Sequence, residues 1–228
     1  MINASKFNYA LIAITLIIMS INPSAIHAFQ PKYNTIMIDP AGDVGHPERK
    51  LSQGYERAQT LAFAEALKQA LYTRYGTTAL LTRTAGEEIQ PLQIASFANR
   101  LDIDFFLRIQ IYKEESAKPK IFIYQRVQNP LLDFAANTYS PLDFIPLDQS
   151  HIRNINTSKL LGQHMQTVFT QTKEDKKKFD FYGPFGLPIA PLAGIIAPAL
   201  LLEIGIDKDY KWQSLIDDIV DSLSFLAK

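Results

Sequence analysis

The sequence predicts one α/β domain with a twisted, largely parallel central sheet and helices on both faces, and three observations predict it. Short apolar runs of strand character alternate with longer segments of helical period, the order that builds a largely parallel sheet. The first run, Thr35-Ile36-Met37-Ile38-Asp39, ends in an acid and Pro40 and opens into a loop of turn formers from Ala41 to Pro47, as a buried strand does at its carboxyl end. About 200 residues lie beyond residue 28, the size of one ordinary domain with room for a full hydrophobic core.

The first stretch carries Lys6, then an apolar run from Ala10 to Ile21 and a segment of mostly small residues ending at Ala28. That is the layout of a secretory signal peptide, which assigns residues 1–28 to export and the remainder, 29–228, to a periplasmic or secreted domain. The competing reading is an uncleaved anchor. The apolar run is shorter than the roughly 20 residues a spanning helix needs, so no membrane span is expected after cleavage. There is no cysteine, hence no disulfide, no thiolate ligand and no lipid-bearing cysteine. Lys plus Arg equals Asp plus Glu at 23 each, which leaves no global field to draw in nucleic acid or anionic lipid.

After the first strand, Glu56 to Tyr75 carries Leu61, Ala64, Leu67 and Leu71 at helical spacing, and Gly76 follows as a C-cap. Thr78 to Thr82 reads as a second strand and Ile89 to Leu101 as a second helix. Asp104 to Tyr112 is a third strand whose second half alternates, so that Arg108, Gln110 and Tyr112 share one face. Ile121 to Tyr124 is a fourth. Residues 126–157 break the rhythm with Pro130, Pro141 and Pro146 yet stay apolar, an insertion or lid in place of a linker. A helix is expected from Ser158 to Thr172, a Pro- and Gly-rich stretch from Pro184 to Pro198, an apolar strand from Ala199 to Gly205 that holds Glu203, and a closing helix from Tyr210 to Ala227. A carboxylate within so apolar a strand needs a partner.

Taken in order, Thr35-Ile36-Met37-Ile38-Asp39-Pro40, the helix starting at Glu56, Leu81-Thr82-Arg83, Phe97-Ala98-Asn99 and Pro198-Ala199-Leu200-Leu201-Leu202-Glu203-Ile204-Gly205 resemble the N-acetylmuramoyl-L-alanine amidases of the catalytic-domain-3 type. The resemblance implies a zinc ion held by a histidine after the first strand, a glutamate opening the first helix and a histidine ending the third strand. It also implies a second glutamate on the late strand that handles the proton of the zinc-bound water, and a substrate in peptidoglycan. The two glutamates fall on Glu56 and Glu203. The two histidine places fall on Gly42 and Gln110, and the arginine the family often carries before Ala-Asn falls on Ile94.

Glycine offers no ligand and a glutamine oxygen is a poor one, so the standard site is left with Glu56 alone and no cofactor is expected unless the site is rearranged. His46, four residues past Gly42, is the candidate ligand for a rearranged zinc site. Arg108 stands about 7 Å from Gln110 on the same strand face and is the candidate to replace the metal's charge between Glu56 and Glu203. The readings that follow are an envelope protein that binds peptidoglycan or muropeptides with impaired catalysis, an active amidase cutting between N-acetylmuramic acid and L-alanine, and a module that docks an envelope protein.

Overall fold

The computed structural model describes residues 35–52, 54–127, 146–171 and 178–227. Residues 1–28, expected to be a signal peptide, and residues 128–145 of the expected 126–157 insertion lie outside the described residues. The elements are β1 (Thr35–Pro40), α1 (Glu56–Tyr75), β2 (Thr78–Leu81), α2 (Pro91–Arg100), β3 (Phe105–Lys113), β4 (Lys120–Arg126), α3 (Ile155–Gln171), β5 (Asp180–Leu187), β6 (Ala199–Ile206) and α4 (Ile216–Ser222). The strands form one sheet in the order β2-β1-β3-β6-β4-β5, parallel throughout except where β4 meets β6.

Strand alternation divides the sheet into two unlike faces. Ile36, Ile38, Leu107, Ile109, Leu202 and Ile204 point one way and are sealed by Phe63, Leu67 and Leu71 of α1, by Met165 and Phe169 of α3, and by Ile219 and Val220 of α4. On α1 the buried stripe runs through Thr60, Phe63, Ala64, Leu67 and Leu71, while Leu61 lies at its half-buried margin. Met37, Phe106, Ala199 and Leu201 point the other way, against Ala95 and Ala98 of α2. Further along that second face stand Asp39, Arg108, Gln110, Tyr112 and Glu203.

Three elements differ from the sequence expectation. Asp180–Leu187 is a strand at the sheet edge, where Pro184 is tolerated because an edge strand need not donate every N–H, and its register with β4 shifts between Phe122 and Tyr124. The end of the insertion is a 3-10 helix, Leu147–Asn154, and α3 starts at Ile155, ahead of the expected start at Ser158. Ser158 is no cap: its buried hydroxyl donates to Asn154 O at 2.9 Å and accepts from Ala199 N at 2.9 Å, tying the helix to β6. The closing helix is broken into a 3-10 turn, α4 and a second 3-10 turn, where the Ser222 hydroxyl back-bonds to Ile219 O at 2.7 Å.

Asn99 of α2 fastens the segment that leads into β6, donating to Gly194 O and accepting from Ile196 N, both at 2.8 Å. The chain leaves β1 toward β2 on one side and crosses back to β3 on the other, so the carboxyl ends of β1 and β3 bound a topological switch point, the crevice where open α/β sheets take ligands.

Candidate functional site

Glu203 lies on β6 in register with Gln110 of β3, on the open face. Both of its oxygens are engaged. Oε1 meets Nη2 of Arg49 at 2.7 Å and Oε2 accepts the Tyr124 hydroxyl at 3.1 Å. Burial and the Glu203 carboxylate push the Tyr124 phenol up to about 12, which keeps it a neutral donor.

Glu56 is 1 % exposed at the first turn of α1. Past the end of β1, the Ile111 N–H of β3 has lost its strand neighbour, and Glu56 Oε1 accepts it at 2.8 Å in the strand's place. Glu56 Oε2 accepts the Arg49 N–H at 3.3 Å and stands 3.8 Å from Arg49 Nε.

Arg49 is therefore the cation between the two glutamates, and local backbone structure puts it there. Lys50 and Tyr55 form a bridge, the Leu51 N–H donates to Gly54 O at 2.9 Å and the Glu56 N–H donates to Arg49 O at 2.8 Å. The guanidinium lies 5.7 Å from the centroid of the Tyr112 ring, a cation–π distance. Tyr112 reaches over β6 because residue 205 is glycine: a Cβ there would come within 2.4 Å of the ring. Its hydroxyl is held by Glu114 at 3.0 Å, and Glu114 is itself drawn down to about 2 by Lys120.

Burial pushes the Glu56 carboxyl above its ordinary range, against the opposing pull of the Ile111 N–H and Arg49. Since the folded pKa exceeds the unfolded one, the folded state holds the proton more tightly. The group's contribution is present at low pH and is lost as pH rises from about 4.5 through the folded value. The unfolding free energy of the wild type, measured in urea against that of Glu56→Gln, should accordingly fall as pH rises above about 4.5.

Arg108 does not stand between the glutamates. It is 8 % exposed, its Nη1 is bonded to Asp39 Oδ2, and Glu48 Oε1 lies 3.9 Å from its Nη2. The reason is register: Asp39 of β1 faces Arg108 directly on the neighbouring strand, whereas Glu203 lies level with Gln110, two residues further along. Asp39 also accepts the Thr82 hydroxyl at 2.6 Å. Gln110 is half-exposed, and its amide makes no hydrogen bond among the described residues.

The loop after β1 gives no ligand from Gly42. That residue has φ 77°, and a Cβ on it would fall 2.9 Å from Arg57 Cβ, so a histidine at this place needs the loop rebuilt. His46 does not fill the gap. Its side chain is 70 % exposed, its ring pairs with Asp43 Oδ1 at 3.5 Å, and it lines the cavity that holds Arg108. His151 is buried and accepts from Arg126 Nε at 2.9 Å, while His164 meets the Ser224 hydroxyl at 3.0 Å on the far side of the sheet. Among the described residues no three His, Cys, Asp or Glu side chains converge to hold a metal.

With Glu56 accepting from the backbone and Glu203 in an ion pair, the donor set at Gly42, Glu56, Gln110 and Glu203 does not fit a zinc ion. Two openings result. Arg49, Lys50, Tyr112, Lys113, Phe122 and Glu203 line a shallow one, and a deeper cavity of about 470 Å³ lies on the Asp39 and Arg108 side.

No family model and no curated protein matches the sequence. Solved structures do match in fold, and they are N-acetylmuramoyl-L-alanine amidases. AmiC2 of Nostoc punctiforme superposes with a TM-score of 0.58 at 13% identity, covering 85% of this chain and 95% of its own. The amidase from Clostridium difficile 630 gives 0.55 at 21% identity, with 86% and 97% covered. The CwlD amidase from Clostridioides difficile, solved in complex with the GerS lipoprotein, gives 0.52 at 14% identity, with 85% and 94% covered. The chain has the fold of amidase catalytic domains.

Proposed function

We propose that this chain is an exported envelope protein that uses an amidase fold to hold peptidoglycan or muropeptides without hydrolysing them. One observation carries the reading: the positive charge beside Glu56 and Glu203 is the guanidinium of Arg49, bonded to the carboxylate that would otherwise serve as the proton carrier. In that ion pair, with the Tyr124 hydroxyl on its other oxygen, Glu203 has one lone pair of each oxygen committed, which competes with its taking a proton from an attacking water. The scaffold strands and the open sheet face remain, and a fold keeps a binding surface more readily than it keeps a reaction.

The test is metal analysis of the purified mature protein together with sedimentation on insoluble peptidoglycan. The expected result is substoichiometric zinc, retention on the pellet and no peptide release. Stoichiometric zinc with release of peptide would overturn the reading. A second reading, docking of an envelope protein, is favoured by edge strand β5, which exposes Tyr182, Phe185 and Leu187 by 40%, 43% and 42%. Absence of retention on peptidoglycan supports that second reading over the first.

A further inference from the structure

We propose that the cavity at the carboxyl ends of β1 and β3 binds an acidic peptide, whose carboxylate takes the place of Glu48 on the Arg108 guanidinium. Arg108 is bonded to Asp39 through Nη1 only; its buried Nε has no hydrogen-bond partner among the described residues. Nε and Nη2 together form the edge of a guanidinium that receives a carboxylate through two parallel bonds. Here that edge meets only Glu48 Oε1, at 3.9 Å from Nη2, beyond hydrogen-bonding distance.

Glu48 is a poor permanent occupant. Its backbone sits at φ 59°, the left-handed region that a residue with a Cβ adopts at a cost, and its side chain is 41% exposed. It is also the one movable acid of the cavity. Asp39 is held by Arg108 and Thr82, and Asp43 accepts the N–H groups of His46 and Ile89 at 2.7 Å and 3.3 Å. A second positive charge stands nearby on Arg83, whose guanidinium is fixed by the carbonyls of Pro40, Ala41 and Arg57. Ile89, Ile94 and Pro191 line the same cavity as apolar contact for a peptide's side chains, and the volume of about 470 Å³ admits two or so residues. The cavity lies at the switch point of the sheet, where such a ligand would be expected.

The proposal is independent of whether the chain retains peptidoglycan, because its test uses soluble probes on the full mature chain. Isothermal titration compares N-acetyl-Ala-Glu-amide, which carries one carboxylate, with N-acetyl-Ala-Gln-amide, which carries none. The acidic probe should bind and the neutral one should not. Glu48→Gln, a half-exposed change that leaves the fold intact, should tighten the acidic probe about fivefold and leave the neutral probe unchanged. Arg108→Lys, which keeps the charge but not the two-point edge, should weaken the acidic probe about tenfold or more. Equal binding of both probes, no binding of the acidic probe to either wild type or Glu48→Gln, or weaker binding by Glu48→Gln would overturn it.

Discussion

Asp39→Ala is expected to remove about 3–5 kcal/mol of unfolding free energy, the largest effect of any single change near the crevice. Asp39 is 2% exposed and Arg108 8%, so both partners are largely withdrawn from water at the floor of the cavity. Taking away the carboxylate leaves a guanidinium that cannot shed its proton, in a place where water cannot reach all of its donors. The Thr82 hydroxyl loses its acceptor as well. Much of the loss is the uncompensated charge and not the intrinsic worth of the bond. A double variant, Asp39→Leu with Arg108→Met, should therefore recover most of it. Urea titration of the three proteins checks both statements, and a single variant that unfolds within about 1 kcal/mol of the wild type would contradict the first.

Arg49→Met is expected to cost less, about 1–2 kcal/mol near neutral pH, because the Arg49 side chain is 43% exposed and water screens part of its attraction to Glu203. The dependence on pH identifies the cause. Without the guanidinium, Glu56 loses a charge that holds its carboxyl down against burial, and the folded state favours its protonated form more strongly. A folded pKa of Glu56 above the unfolded one means that stability is recovered as pH falls and lost as it rises. The deficit of Arg49→Met against wild type should shrink toward acid in thermal melts, whereas a merely steric defect would persist at every pH. Arg49→Lys should restore part of the stability, since an ammonium supplies charge without the fork or the flat contact with Tyr112.

Much of the scaffold can be read from residue patterns alone. The bounds of α1, the left-handed Gly76 that ends it at φ 65° and the apolar strand around Glu203 follow from period, cap and composition. Alternation also places Arg108, Gln110 and Tyr112 on one sheet face, as the β3–β6 register bears out. Neighbour order is what a linear pattern lacks. Arg108 chooses its partner from the adjacent strand, and only the β1–β3 register reveals that Asp39 lies opposite it. Arg49 is harder still, for it belongs to no periodic element. Its place depends on a turn closed by the helix's own first carboxylate, and the visible hint is Gly54, at φ 84°, just ahead of Tyr55 and Glu56. Strand β5 was hidden by Pro184 and its glycines, which signal a loop everywhere except at a sheet edge.

The tether of Arg49 has one more consequence. A metal ion between two carboxylates is in exchange with its surroundings, so a site built on it tracks metal supply, competition and chelation. A guanidinium seven residues from Glu56 along the same chain is delivered by synthesis at fixed stoichiometry, and it does not dissociate. The positive charge of this crevice thereby does not depend on metal supply, at the expense of any open coordination position.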